Sequence, residues 1–244
     1  MRAAFPGSNE QQWGAMAREY AEQRPTSPHA LTEARVIFEL LGDIKGKRIA
    51  DVGCAAGFFS FQLVEKGANV IGIDASADMV ACAREKQSTK GIPAGVLSFV
   101  CADVLKMSEK GTSPEGFDVA LAADLLNNIE DLDRALEELN KILKHGGTLL
   151  IAIPHPQKVD GPEYFVQHWI RRGYKFVEIT HPVDLYHRPI IDYMLGLSKA
   201  GFKITESREP LQDRNLKIRN EFDAENAEIR KTQPSMLVIM AEKP

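Results

Sequence analysis

The sequence places a glycine turn and three aspartates at or beside the ends of short apolar runs. Asp51, Gly53 and Gly57 lie in the run IADVGCAAGFF, and Asp74 and Asp103 end the next two runs. Glycines at such a spacing let backbone amides approach a ligand where a helix begins. A carboxylate in this position can accept a pair of hydrogen bonds from two ribose hydroxyls. Together these residues indicate that the protein binds a nucleoside.

Each of these residues also has a structural explanation. Glycine is common in strand-to-helix turns because it adopts a positive φ, and aspartate often caps the free amides of a helix. Capping explains any one of the aspartates. It explains less well three of them together with the glycine turn, so a nucleoside ligand is the better joint account.

The elements that must position these residues follow from the alternation of apolar runs with amphipathic stretches, which is typical of a parallel α/β sheet. Strands are predicted at residues 47–53, 68–75, 96–103, 117–124 and 147–154, with helical crossovers at 55–66, 76–90 and 131–144. Further predictions are helices at 9–24, 30–42 and 189–201, and strands at 174–180, 202–209 and 235–243. The carboxyl ends of parallel strands meet at one edge, where open α/β sheets bind ligands.

Composition excludes several other classes of protein. The chain has 244 residues, 44% of them hydrophobic, and a net charge of −4, so it can bury a core unaided and has no general attraction for nucleic acid or anionic membrane. Its three cysteines lack C-x-x-C spacing, no histidine spacing suggests a metal, and no apolar run could span a bilayer or target the chain. We expect a cytoplasmic monomer or homodimer.

A family resemblance combines these features. The runs IADVGCAAG, VIGIDAS, CADV, FDVALAADLLNNI and LKHGGTLLIAIP resemble the successive motifs of class I S-adenosylmethionine-dependent methyltransferases, in the group of small-molecule enzymes related to ubiquinone biosynthesis. The resemblance covers roughly residues 13–155. It implies an α/β, Rossmann-like sheet of seven strands in the order 3-2-1-4-5-7-6, with strand 7 antiparallel, N-terminal helices and a lid insertion after strand 5.

We expect one methyltransferase domain over residues 1–244. Its expected parts are N-terminal helices at 1–45, a cofactor-binding core at 46–155, a lid at 156–190, and a C-terminal helix with strands 6 and 7 at 191–244.

The resemblance implies S-adenosyl-L-methionine as the cofactor and S-adenosyl-L-homocysteine as its product. Asp74 would hold the ribose, Asp103 would bond the adenine amino group, and Tyr20 would cover the cofactor. The full set of cofactor positions implied is Tyr20, Asp51, Gly53, Cys54, Ala55, Gly57, Asp74, Ala75, Met79, Ala102, Asp103, Val104 and Ala123.

Two positions depart from the family pattern. Ala55 replaces the middle glycine of G-C-G-x-G, and its methyl can be accommodated if its φ is negative. Asn127 and Asn128 stand where related small-molecule enzymes often carry two histidines. A dehydrogenase would also pair a glycine turn with an acid, but its G-x-G-x-x-G motif is matched only at Gly53.

Transfer would proceed by in-line displacement to an O, N or C nucleophile, for which alignment matters most and a base is optional. The candidate catalytic residues are His187, His155 and Asn127. For His187, action on the acceptor and a structural role in tying the lid are equally supported, and for Arg188 the structural role is favoured. The candidate substrate-binding residues are Trp13, Tyr20, Asp124, Asn127, His155, Tyr186, His187 and Arg188.

The aromatic residues among these either line a pocket or pack the lid against the sheet. The expected acceptor is a small molecule, because the chain has no basic stripe or appended nucleic-acid module. Two alternatives remain open: a protein or tRNA methyltransferase that recognises its target by a local patch, and a cofactor-binding accessory protein without transfer activity.

Overall fold

A computed structural model describes residues 8–109, 115–156, 161–176, 179–211 and 232–244. Its strands are β1 (Arg48–Val52), β2 (Asn69–Asp74), β3 (Leu97–Cys101), β4 (Phe117–Ala123), β5 (Leu143–Pro154), β6 (His168–Phe176), β7 (Ile179–His187), β8 (Lys203–Arg208) and β9 (Met236–Glu242). Its α-helices are α1 (Asn9–Gly14), α2 (Ala17–Gln23), α3 (Pro28–Leu41), α4 (Phe58–Glu65), α5 (Ala77–Thr89), α6 (Leu132–Ile142) and α7 (Ile190–Lys199).

Seven of the strands form one sheet in the order β3-β2-β1-β4-β5-β9-β8. Strands β1 to β5 are mutually parallel, and β9 runs antiparallel to both β5 and β8. Since β8 and β9 are the sixth and seventh strands of this sheet, the predicted order 3-2-1-4-5-7-6 with an antiparallel last strand is confirmed.

Alternation of side chains along the strands separates two apolar layers. On β1, Ala50 and Val52 belong to the cluster that includes apolar residues of α6 and α7. Ile49 of the same strand belongs to the second cluster, which includes residues of α3, α4 and α5. Helices therefore cover both faces of the sheet, and this leaves the strand ends to build the site.

Polar caps fix where the crossover helices begin. Ser76 accepts a hydrogen bond from the backbone N–H of Met79 at the start of α5, at 3.3 Å. Asp131 accepts one from the backbone N–H of Arg134 at the start of α6, at 3.0 Å. Each cap satisfies an amide that the first helical turn leaves free. None of the helices in the described part of the chain is long and apolar enough to cross a bilayer.

The N-terminal helix predicted at 9–24 is divided into α1 and α2. At the end of α1, a side chain on Gly14 would come within 2.8 Å of the Asp78 carboxylate on α5. After the break, Met16 is fully buried with Val183 of β7, and Ala17 packs in a separate cluster with Met79. The break lets consecutive residues pack against two different elements.

The single strand predicted at 174–180 is wrong. Residues of this range belong to both β6 and β7, which pair antiparallel as a separate two-stranded sheet with His168 opposite His187 and Tyr174 opposite His181. Residues 174–180 contain no glycine or proline, so the sequence pattern of this range does not indicate where one strand ends and the next begins.

Candidate active site

A cavity of about 320 Å³ lies where β1, β2, β3 and β4 end. Twelve of the residues expected to bind cofactor or substrate line it. They are Trp13, Tyr20, Gly53, Ala55, Asp74, Ala75, Met79, Ala102, Asp103, Val104, Ala123 and Asp124. The fold therefore brings the residues of the successive motifs to one place.

The turn after β1 requires glycine at two positions. Gly53 has a φ of +74° and Gly57 a φ of +81°. A side chain on Gly53 would lie 2.9 Å from the Leu125 side chain, and one on Gly57 would lie 2.9 Å from that of Phe61. The backbone of this turn can thus pack closely against its neighbours and approach a ligand only because these positions lack a Cβ.

Ala55 does not meet the condition of a negative φ, since its φ is +47°. A left-handed conformation costs a non-glycine residue about 1–2 kcal/mol. Its backbone N–H donates a hydrogen bond to Oδ2 of Asp74 at 2.8 Å. The alanine is therefore accommodated because the turn is anchored by the aspartate of the next strand.

Asp74 is held in place at the end of β2. Its Oδ1 accepts from the Ser76 N–H at 2.9 Å, and its Oδ2 accepts from the Ala55 N–H at 2.8 Å. Burial raises the pKa of Asp74, and the two amides offset part of that effect. Each carboxylate oxygen keeps a lone pair that can accept from a ribose hydroxyl, so this residue fits the nucleoside part of the cofactor.

Asp103 both caps a turn and lines the cavity. Its Oδ1 accepts from the Leu105 N–H at 2.9 Å, and it lies between Ala102 and Val104, which also line the cavity. Capping is thus a real role of this side chain. It leaves the other oxygen, Oδ2, to meet a donor such as an adenine amino group.

Asp51, Cys54 and Gly57 lie behind the cavity wall. Asp51 is buried and accepts a hydrogen bond from Ser60 Oγ at 2.5 Å. Burial raises the pKa of Asp51 to about 7, despite that hydrogen bond, and burial also raises the pKa of the Cys54 thiol. These residues support the turn without reaching the cavity.

An aromatic cluster covers the cavity from the N-terminal side. The rings of Trp13 and Tyr20 meet edge to face at 5.6 Å, and those of Trp13 and Tyr174 at 5.1 Å. The Trp13 indole N–H donates to Oδ1 of Asn128 at 3.0 Å. Burial raises the pKa of Tyr20 to about 12, so its hydroxyl stays neutral at physiological pH.

A buried charged group beside the cavity was not anticipated from the sequence. The Arg24 guanidinium pairs with Glu33 and, at 3.0 Å, with Oδ2 of Asp124, while His29 Nε2 lies 3.6 Å from the same oxygen. His29, Glu33 and Asp124 are close enough to hold a metal ion, but Arg24 already supplies a cation to both carboxylates. The sequence feature that could have indicated this group is Glu33, an acidic residue on the apolar face of α3.

Asn127 and His155, two candidate catalytic residues, do not line the cavity. Asn127 is buried, and its neighbour Asn128 is on the cavity wall instead. His155 is fully buried with its Nε2 3.6 Å from Glu209. The structure therefore does not bring these two side chains to the cavity, and their catalytic role stays a prediction.

His187, Tyr186 and Arg188 also lie away from the cavity. Arg188 is buried and donates to three backbone carbonyls: Leu126 at 3.0 Å, Glu130 at 2.7 Å, and Ile129.

The two neighbours of Arg188 in the chain are also occupied by structural contacts. His187 Nε2 lies 2.9 Å from the Tyr164 carbonyl, and the Tyr186 ring packs on Trp169 and on the Arg188 guanidinium. The three residues therefore anchor the hairpin, and these contacts favour the structural alternative over a role in binding the acceptor.

Comparisons with known proteins agree with this geometry. A family model described as a methyltransferase domain matches residues 43–173. The ubiquinone biosynthesis O-methyltransferase of Rhodopseudomonas palustris is 27% identical over 204 residues, which cover 80% of this chain and 74% of that protein.

Two solved structures have a similar fold. A putative S-adenosylmethionine-dependent methyltransferase from Listeria monocytogenes has a TM-score of 0.68 and 25% identity, covering 88% of this chain and 98% of that one. A putative methyltransferase of Haloferax volcanii, solved in complex with the Trm112 activator, has a TM-score of 0.70 and 18% identity, covering 99% and 100%. The chain belongs to the class I methyltransferases, whose cofactor is S-adenosylmethionine.

Proposed function

We propose that the protein transfers a methyl group from S-adenosylmethionine to a small-molecule acceptor by in-line displacement. The observation that carries the proposal is the Asp74 carboxylate, fixed by two backbone amides on the wall of a cavity that also contains the glycine turn. This arrangement supplies a ribose site and a close backbone approach in one place.

The chain's own residues would act by binding and alignment. Asp74 would hold the ribose, Asp103 and Met79 the adenine, and Gly53 with Ala55 would pass beneath the methionine part. Trp13 and Tyr20 would exclude water. When bound, the cofactor supplies a methyl group activated by a positively charged sulfur. Holding a nucleophile in line with this group can provide about 7–11 kcal/mol of the barrier reduction, and no imidazole is required on the wall.

A small acceptor is supported by the character of the cavity. Its described lining contains no lysine, arginine or histidine, so it offers nothing that would neutralise a nucleic-acid backbone. The Rhodopseudomonas relative is named as acting in ubiquinone biosynthesis, which is a small-molecule pathway. We also propose that the chain is one domain that acts in the cytoplasm as a monomer or homodimer. The three cysteines, which form no disulfide, agree with a reducing compartment.

The proposal is tested by transfer of labelled methyl groups to cell extract that has been separated by ultrafiltration. We expect label in the low-molecular-weight fraction, with little dependence on salt. Asp74→Ala, assayed in parallel, should transfer none. Labelling of protein or RNA instead, falling steeply as salt is raised, would favour a macromolecular acceptor and overturn the small-molecule assignment.

A further inference from the structure

We propose that the Asp124 carboxylate receives the nucleophilic nitrogen of the acceptor, so that the acceptor is an amine and the protein an N-methyltransferase. The inference rests on the function proposed above and narrows its substrate class. It is based on the contacts, the backbone conformation and the charge of Asp124, which lies on the cavity wall.

Asp124 is held in an unusual conformation directly after β4. Its φ is +53°, a left-handed conformation that is uncommon for residues other than glycine and that aspartate and asparagine adopt more readily than most. Its backbone N–H donates to the Ala152 carbonyl at 2.8 Å, and its carbonyl accepts from Asn128 Nδ2 at 2.6 Å. Strain of this kind persists where the surroundings impose it, and it is common at functional sites.

The Asp124 carboxylate is ionised, and only one of its two oxygens pairs with neighbouring side chains among the described residues. Oδ2 pairs with Arg24 and His29, whereas Oδ1 is buried without a hydrogen-bond partner among the described residues. Burial alone would raise the pKa of Asp124, but the Arg24 guanidinium and the contact with His29 outweigh it and lower the pKa to about 2. A buried carboxylate oxygen without a donor is costly, so a ligand that brings a donor is favoured.

The position of Asp124 separates it from the parts of the cavity that fit the nucleoside. Asp74 and Asp103 end β2 and β3, whereas Asp124 follows β4 and is adjacent to Leu125, whose side chain packs on Gly53. Gly53 opens the turn that would pass beneath the methionine part of the cofactor. Asp124 therefore approaches that turn from the β4 side, opposite Asp74, which contacts the turn from the β2 side.

Charge on the wall favours an acceptor that becomes positive. The acidic side chains on the lining are Glu10, Asp74, Asp103, Asp124 and Glu130, and no basic side chain of the described residues joins them there. A phenolate or enolate would be repelled by this lining. Forming one from a neutral phenol or enol would also need a base, and a carboxylate with the low pKa of Asp124 is a poor one.

An amine that is neutral at physiological pH satisfies both conditions, because it needs no base before it attacks and becomes positive as it reacts. A neutral amine nitrogen uses its lone pair to form the new N–C bond to the methyl carbon, the C–S bond breaks, and its electron pair stays on sulfur. The positive charge thereby moves from sulfur to nitrogen, and the resulting ammonium later gives its proton to water. A fixed carboxylate beside the nitrogen stabilises this developing charge more than it stabilises the neutral amine, which is the condition for lowering the barrier.

The test measures binding and needs no knowledge of the natural acceptor. Sinefungin is a cofactor analogue in which a carbon bearing an amino group replaces the methyl-bearing sulfur, so it places an ammonium where nitrogen and methyl meet. By calorimetry, the wild-type protein should bind sinefungin about ten- to a hundred-fold more tightly than S-adenosylhomocysteine, as expected for one charged hydrogen bond. Asp124→Asn should lose this preference and keep its affinity for S-adenosylhomocysteine within about threefold.

A matched control is Asp118→Asn at the opposite end of β4, where Asp118 pairs with Lys144 at 2.8 Å. It should retain the preference for sinefungin. Asparagine tolerates a positive φ, so Asp124→Asn is expected to fold, and its melting temperature will verify this.

Three results would overturn the inference. In the first, the wild-type protein binds both ligands with equal affinity, which can be observed without any variant. In the second, Asp124→Asn weakens the binding of both ligands equally, which would assign Asp124 to the cofactor itself. In the third, Asp124→Asn changes the affinity for neither ligand. Failure of the wild-type protein to bind S-adenosylhomocysteine at all would instead refute the proposed function.

Discussion

At the scale of single residues, the cavity wall contains residues whose backbone conformation or burial is energetically unfavourable. Ala55 and Asp124 have left-handed backbones, and the buried carboxyl of Asp51 accepts a hydrogen bond from the Ser60 hydroxyl. Hydrogen bonds from fixed neighbours offset these costs in part, as Asp74 does for Ala55. These energetic costs are associated with the site, because all three residues lie on or directly behind the cavity wall.

Asp51 should make stability depend on pH in a defined direction. Its pKa is raised by burial to about 7, so the folded protein binds this proton more tightly than the unfolded chain does. The stabilisation is complete below the unfolded pKa of about 4 and is lost as pH rises through about 7. Asp51→Asn should therefore gain stability over the wild type as pH rises, by up to about 4 kcal/mol.

Urea unfolding at a series of pH values from about 5 to about 8 measures this difference. Asp118→Asn serves as a control of opposite sign, because the pKa of Asp118 is lowered: burial opposes the change, but Lys144 and the Arg48 amide outweigh it. That variant should be less stable than the wild type throughout this range. A constant difference between Asp51→Asn and the wild type would show that Asp51 does not titrate there.

At the scale of elements, α1 forms the cover of the cavity and the β6–β7 hairpin supports it. The link is Asp184 of β7, whose carbonyl accepts from Asn9 at 2.7 Å and whose carboxylate accepts from Gln12 at 2.9 Å. The Asp184 N–H also donates to Gln12 at 3.0 Å, and Arg171 of β6 holds the carboxylate from the other side. Helix α1 has only six residues, so its position depends on these contacts.

Asp184→Ala should therefore release bound S-adenosylhomocysteine faster. Loss of the carboxylate removes its bonds to Gln12 and Arg171, and about 1.5 kcal/mol of lost support corresponds to roughly tenfold in rate. Stopped-flow fluorescence of Trp13, which lines the cavity, can follow the release. Glu39→Ala, which removes an exposed ion pair on α3, is the matched control and should change nothing. An unchanged release rate in Asp184→Ala would show that the hairpin does not support the cover.

Sequence patterns predict the elements of the sheet well and the hairpin poorly. Strands such as β4 are continuous apolar runs bounded by turns, whereas the register of a hairpin depends on its turn. The position of Asp74 on the cavity wall follows from the sequence because the ends of parallel strands meet at one edge. The position of His187 does not, because its ring packs against Tyr164, which lies in a different segment. The pairing of Arg24 with Asp124 joins residues 100 positions apart, which no local pattern contains.

At the scale of the whole molecule, a nearly neutral chain concentrates acidic side chains around one cavity. Helices cover both faces of the sheet, so the edge where β1 to β4 end is the place where a ligand can reach the backbone. The family match covers residues 43–173, and α1 and α2, which cover the cavity, lie before it. On the proposed function, the choice of acceptor would therefore depend on residues of α1 such as Trp13, outside the family match, as well as on Asp124 within it.

The central claim is that the carboxylate of Asp74 binds the ribose of the cofactor in this cavity. Titration calorimetry of S-adenosylhomocysteine into the wild-type protein and into Asp74→Ala tests it most directly. We predict clear binding by the wild type and a loss of at least about a hundredfold in the variant, since two charged hydrogen bonds to the ribose disappear. Equal affinity for both proteins, with the variant still folded by its melting temperature, would contradict the account.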